Sequence, residues 1–277
     1  MGIFIWDTSP SKIYVWWSEV ASVRVGDTKV RPSIVNFATQ WPCPDLFHVP
    51  LSSEWNSVKS IWTALGGWST DWTNFGIALK LPIAGRRNYA TSNVGSSSTG
   101  YYWHSTRYNT YSAYCLSFSS TAITTGNTFY RSYGSSVRWF KNSPVVPTSS
   151  WTKLYWTSIT TGWIFWSSTD WLISLSSNWT TWITIADKNV WATTVWNSWD
   201  TLSEANCGYY FQRWNNYWFP RTWTLTNTSW DMVDASTYWP WNYYSSSTFI
   251  KRSSSPYRWD STDNANLRWW EDGNVPV

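Results

Sequence analysis

Few residues in this chain have the type and spacing that chemistry needs. Its two histidines are His48 and His104, and its three cysteines are Cys43, Cys115 and Cys207. With no third histidine and no Cys-x-x-Cys pair, nothing assembles a tetrahedral zinc set. Serine is plentiful, so a Ser-His-Asp triad has its raw materials, but no Gly-x-Ser-x-Gly elbow presents a nucleophile. Asp231, Asp234, Glu271 and Asp272 are of the right type for a glycosidase pair or calcium ligands. Their spacing matches neither, and a solvated surface is the simpler reading. No glycine-rich loop is built to cradle a phosphate. The expectation is a non-enzymatic protein with no metal and no cofactor.

The most suggestive stretch is 107–132. Arg107, Tyr108, Asn109, Tyr111 and Tyr114 are followed by Ser117, Ser119, Thr128 and Tyr130. Paratopes favour this palette, because Tyr supplies rigid contact area while Ser and Asn adapt their hydrogen bonds. These nine residues are the candidate ligand-binding set. An ordinary polar β surface would look the same in one sequence. Aromatic faces suit sugar rings as well as proteins, so the expected partner is a protein or a glycan at a surface.

The elements that position these residues follow from pattern. Residues 1–35 read as lead-in strands at Ile3–Trp6, Ile13–Trp16 and Ser22–Val25. Residues 52–65 predict a helix capped by Ser52 or Ser53, with Trp55, Val58, Trp62 and Leu65 on one face and Gly66-Gly67 as the stop. A shorter helix is expected over 72–81. From 100 onward short strands alternate with Ser/Thr/Asn/Gly turns, and Leu116 and Phe118 point to a core. Pro144 and Pro147 mark 146–150 as a linker, with strands again over 151–186 and loops with short strands over 212–277. Thr201-x-x-Glu204 reads as a capping box for a short helix that Gly208 limits. Ile164–Thr169 echoes Tyr101–Thr106, a hint of an internal repeat.

Composition agrees. Apolar residues make up 43%, enough for a core, while charged residues are only 13%, about half the usual share. Ser, Thr, Asn and Tyr carry the polarity, as in β-rich extracellular and binding proteins. The net charge of +4 is scattered without a basic run, which excludes nucleic acid as the expected partner. No apolar run is long enough for a transmembrane helix. The first ten residues lack the charged and apolar regions of a secretory signal, so the chain is expected to be intracellular or a fragment with an upstream start.

Tryptophan occupies 29 positions and glycine only 13, where average usage would give roughly 19 glycines. Many tryptophans sit where a turn wants glycine: Trp68 after Gly67, Trp163 after Gly162, Trp179 after Asn178, and Trp199, Trp218, Trp239 and Trp241 among Asn, Asp and Pro. A UGA codon read as glycine would be written as tryptophan under another code. The alternative is a genuinely Trp-rich surface.

Two ordered sets of strings resemble the Fibrobacter succinogenes major paralogous domain family, bacterial surface or secreted domains related to the C-type lectin fold. The first set is Gln40–Pro50, Glu54-Trp55, Leu79–Pro82 with Ala84-Gly85, Tyr102–Thr106 and Arg131–Arg138. The second is Ile185–Thr193, Gly208–Phe219 and Glu271–Asn274. The resemblance implies an α+β, C-type lectin-like domain over 36–145 and an incomplete, β-rich second copy over 151–277, cut from a longer tandem protein. It implies an extracellular or cell-surface location. The family has glycine where this chain has Trp41, Trp191, Trp214 and Trp218, and also at Leu46, which recoding does not reach. Trp139 stands where the family often has cysteine, so the family-type bridge from Cys43 is ruled out. The strings by which sugar-binding C-type lectins hold calcium are absent. By the same resemblance His104 replaces a serine and is expected at the surface, while His48 is expected to be a hydrogen-bonded structural residue. The leading expectation is a binding module. The alternatives are a structural repeat of a surface adhesin and a carbohydrate-active protein.

Overall fold

A computed structural model describes residues 23–25, 28–30, 46–67, 72–95, 98–155, 162–213, 218–221, 227–229, 249–252, 254–255 and 257–258. The chain divides into two compact units, Met1–Phe37 and Ala38–Val277. In the first, β1 (Val23–Val25) pairs antiparallel with β2 (Thr28–Val30). The other two strands expected there lie outside the described residues.

The second unit is β-rich with short helices, an α+β arrangement. Its order is β3 (Phe47–His48), α1 (Ser52–Ala64), α2 (Trp72–Ala78), β4 (Thr99–Arg107), β5 (Ser112–Ser119), β6 (Ala122–Tyr130), β7 (Gly134–Ser135) and β8 (Arg138–Lys141). Then come β9 (Thr152–Tyr155), β10 (Trp163–Ser167), β11 (Leu172–Ser176), β12 (Ile183–Asn189), α3 (Glu204–Cys207), β13 (Phe211–Gln212), β14 (Asn227–Ser229) and β15 (Phe249–Lys251). Strands β4-β5-β6 form an antiparallel meander, and β3-β8-β12-β11-β10-β9 form a six-stranded sheet.

Helix α1 explains how the two sheets stay together. Trp55, Val58, Trp62 and Leu65 recur at helical spacing and are all buried. They share one cluster with Tyr102, Leu116, Phe118 and Ile123 from the meander and with Phe140, Ile164, Ile173, Leu175 and Ile185 from the larger sheet. Each fully buried side chain of this kind contributes about 1.5–3 kcal/mol. The expected serine cap is replaced by a carboxylate: Leu51 N–H donates to Glu54 Oε2 at 2.7 Å, and Ser52 N–H donates to Thr106 Oγ1 at 2.9 Å. That second bond fixes the helix start to the end of β4.

Helix α2 is shorter than expected. Leu81 N–H bonds back to Gly76 O at 2.8 Å and Lys80 adopts φ 51°, the left-handed stop of a Schellman-type cap. α3 is capped by Asn206, which accepts Ser203 N–H at 2.9 Å, and Gly208 ends it at φ 66°.

Segment 142–150, which contains the expected linker 146–150, joins two strands of one sheet. Phe140 of β8 faces Ile185 of β12 in register, and both sides of the segment belong to the unit Ala38–Val277. Val145 N–H donates to Thr184 Oγ1 at 2.8 Å, and Ser174 Oγ donates to Val145 O at 2.8 Å. The physical reason is the shared core: parting the strands there would expose Phe140 and Ile185. Arg138, wholly buried, adds bonds to Ala186 O at 2.8 Å and Lys80 O at 2.5 Å. Among the described residues no helix is long and apolar enough to cross a membrane.

Candidate functional site

The β4–β5 hairpin ends at the Arg107↔Ala113 pair, and its connection carries Tyr108, Asn109 and Tyr111. Asn109 shapes the loop. Its Oδ1 accepts Tyr111 N–H at 3.0 Å and Ser112 N–H at 2.8 Å, while its own N–H donates to Ser112 O at 3.1 Å. This is the Asx turn for which asparagine is suited. Arg131 holds the loop from beneath. It is completely buried, its Nη1 donates to Thr110 O at 2.8 Å, and its backbone N–H donates to Tyr111 O at 2.8 Å. Arg131 O in turn accepts Arg213 N–H at 3.1 Å, next to β13, which pairs with β7.

On this support Tyr108 and Tyr111 project, 55% and 40% exposed. Tyr108 meets Tyr114 edge-on at 5.4 Å, and Tyr111 lies 6.4 Å from Tyr130. Tyr130 stacks on Tyr257 at 4.2 Å and meets Tyr89 at 5.3 Å. Thr128 is exposed and faces Tyr114 across the strands. Tyr133 continues the belt, and burial raises its phenol pKa although the nearby Arg86 guanidinium pulls it down. That guanidinium sits 4.1–4.5 Å from the rings of Tyr101, Phe129 and Tyr133, a cation–π arrangement that stiffens the base of the belt.

Seven of the nine sequence candidates thus gather at one end of the meander: Arg107, Tyr108, Asn109, Tyr111, Tyr114, Thr128 and Tyr130. The other two do not join them. Ser117 is buried and accepts a hydrogen bond from Asn127. Ser119 lies five residues beyond Tyr114, about 16 Å along the strand at about 3.3 Å per residue, bonded to Thr121 at 3.0 Å. Arg131 and Tyr257 were missed as contributors. A buried arginine bonded to backbone carbonyls has no sequence signature, and Tyr257 comes from far along the chain.

His104 is a correction. Expected at the surface, it is wholly buried between Trp55 (6.4 Å) and Tyr114 (6.4 Å), because α1 lies over this part of β4. Neither ring nitrogen has a hydrogen-bond partner. Burial, reinforced by Arg213, pushes its pKa down to about 3, so the ring is neutral. His48 behaves as expected of a structural residue: Nδ1 donates to Asn142 Oδ1 at 2.7 Å and Nε2 to Glu54 Oε2 at 2.8 Å. Burial lowers its pKa, but Glu54 and then Asn142 outweigh that and leave it raised. With an acceptor at each nitrogen, the imidazolium is the form this site favours.

Cys115 and Cys207 are buried free thiols whose pKa values burial raises, that of Cys207 to about 11. Neither is poised as a nucleophile. Cys43 and the carboxylates Asp231, Asp234, Glu271 and Asp272 lie outside the described residues. Among the described residues no group of three or more His, Cys, Asp or Glu comes together to hold a metal. No protein-family model, curated protein or solved structure matches this chain.

Proposed function

We propose that the chain is a non-enzymatic binding module of an extracellular or cell-surface protein, displaying the Tyr108–Tyr114 hairpin end on a C-type lectin-like scaffold. The observation that carries this reading is the contrast within one loop. Tyr108 and Tyr111 are exposed, while the backbone that bears them is fixed by Asn109 and by the buried Arg131. An aromatic surface that is already ordered when free avoids the entropy of ordering on contact, which is the design of a binding loop. The family resemblance supports the scaffold and the surface location. The ligand is a protein or a glycan.

The test starts from binding itself. The folded chain is screened against panels of glycans and of cell-surface proteins, and the hits are re-measured with Tyr108→Ala/Tyr111→Ala. Retained melting behaviour with binding weakened at least tenfold is the expected result. A folded double variant that binds as tightly as the parent removes this site.

A further inference from the structure

Seven described residues other than glycine have a left-handed backbone φ, and three of them are tryptophans: Trp171 at 60°, Trp179 at 62° and Trp191 at 62°. Tryptophan is only about a tenth of the chain, 29 of 277 residues, so it is several-fold over-represented in the backbone region that large side chains avoid most.

All three occupy turns at strand ends of the six-stranded sheet. Trp171 immediately precedes β11 in the link from β10, where Ser167 Oγ bonds Asp170 Oδ2 at 2.7 Å. A left-handed residue closing a short hairpin link is a glycine position. Trp179 lies between β11 and β12, directly after Asn178. The Asn178 Oδ1 accepts the N–H groups of Thr180 and Thr181 at 3.0 and 2.8 Å, folding the chain tightly around residue 179. Trp191 is the third residue of a turn closed by Ala192 N–H to Asn189 O at 2.9 Å. A positive φ at that place of a β-turn calls for glycine or asparagine.

All three tryptophans are only partly covered. The three rings are 57%, 45% and 46% exposed. Lys188 Nζ lies 3.3 Å from the Trp171 ring, and Trp182, Phe165 and Trp163 lie 6.1, 6.2 and 6.5 Å from Trp179. A left-handed φ costs an L-residue roughly 5- to 30-fold in the ratio of folded to unfolded chain, and costs glycine no such strain.

We infer that positions 171, 179 and 191 carry glycine in the protein as its own ribosomes make it, through UGA codons read as glycine. The backbone evidence is separate from the family resemblance, which pointed to position 191 and was silent on 171 and 179. Leu46, at φ 68°, lies outside the reach of this codon and keeps its side chain. The consequence for recognition is direct. The cluster of Trp163, Phe165, Trp179 and Trp182 loses its exposed member, since Phe165 and Trp182 are buried. The Tyr108–Tyr111 hairpin is untouched.

The experiment is tandem mass spectrometry of peptides spanning 171, 179 and 191 from the protein purified from its native cells. Glycine at all three positions is expected. Tryptophan at any one of them overturns the inference.

Discussion

Replacing His104 with Phe should abolish a specific part of the acid sensitivity of this fold. His104 is wholly buried, packed between Trp55 and Tyr114, and both of its ring nitrogens are without partners. Its pKa is pushed from 6.5 down to about 3, by burial first and by Arg213 second. The folded-state pKa is depressed, so below pH 6.5 the unfolded chain takes up a proton that the folded chain refuses. Stability from this residue is therefore complete above 6.5 and drains as pH falls toward 3, by about 1.4 kcal/mol per pH unit. Over the window this sums to the order of 5 kcal/mol, a large share of a typical 5–15 kcal/mol stability. His104→Phe cannot be protonated, and it also removes two bare polar atoms at about 1–3 kcal/mol of relief. The slightly larger ring costs a similar amount in overpacking, so the two chains should be close at pH 7. The assay is urea unfolding of both chains at half-unit pH steps from 7.5 to 4. The difference in unfolding free energy, variant minus parent, should be flat near neutrality and rise steeply below pH 6.5. Parallel curves would refute the reasoning, because they would mean that His104 titrates alike in the folded and unfolded states. Tyr114 should keep its place in the variant, so ligand binding should persist.

Three further outcomes follow. Arg131→Met should leave Tyr108 and Tyr111 in place but loosen the loop, losing a charged hydrogen bond worth about 1.5–3 kcal/mol. Weaker ligand binding with faster dissociation is the readout, and unchanged kinetics would show the loop holds itself. Phe140→Ala should cost about 3–5 kcal/mol, because Phe140 packs edge-on against Trp55 at 4.8 Å and faces both His48 and Ile185. A single cooperative transition is expected, and two separated transitions would show that the strands on each side of 142–150 melt independently. Glu54→Gln should remove the stabilisation of charged His48. The raised pKa means that this stabilisation is full below pH 6.5 and fades as pH rises through the folded-state value. Stability compared at pH 6 and pH 9 should differ less in the variant than in the parent.

Local pattern made much of this legible. The helical spacing of Trp55, Val58, Trp62 and Leu65 named both α1 and its buried face, and Leu116 and Phe118 were correctly set in the core. Errors arose where geometry substitutes for residue type. The α2 stop uses Lys80 in a conformation usually given to glycine, so nothing in the composition marks it. The α1 cap uses the Glu54 side chain, not the serines beside it. His104 and Ser117 were misplaced because β4 and β5 are covered on both faces, which erases the alternation a half-buried strand would show. The pairing of β8 with β12 runs across Pro144 and Pro147, and long-range pairing leaves no local trace. The candidate site was legible as a palette of Tyr, Ser and Asn. Its selection from nine residues to seven, and its dependence on Arg131, needed three dimensions.

The β8–β12 pairing also dictates when this protein can fold during synthesis. Phe140 leaves the ribosome well before Ile185, and at about 5–20 residues per second the gap lasts seconds. Through that interval α1 has the meander, Phe75 of α2 and Phe140 of β8 against Trp55 and Trp62, but Ile164, Ile173, Leu175 and Ile185, which complete the cluster, have not all been made. A nascent chain whose core still lacks the β10–β12 side of its cluster is a natural client for a holding chaperone. Pausing or truncation between 141 and 183 would strand it in its stickiest state.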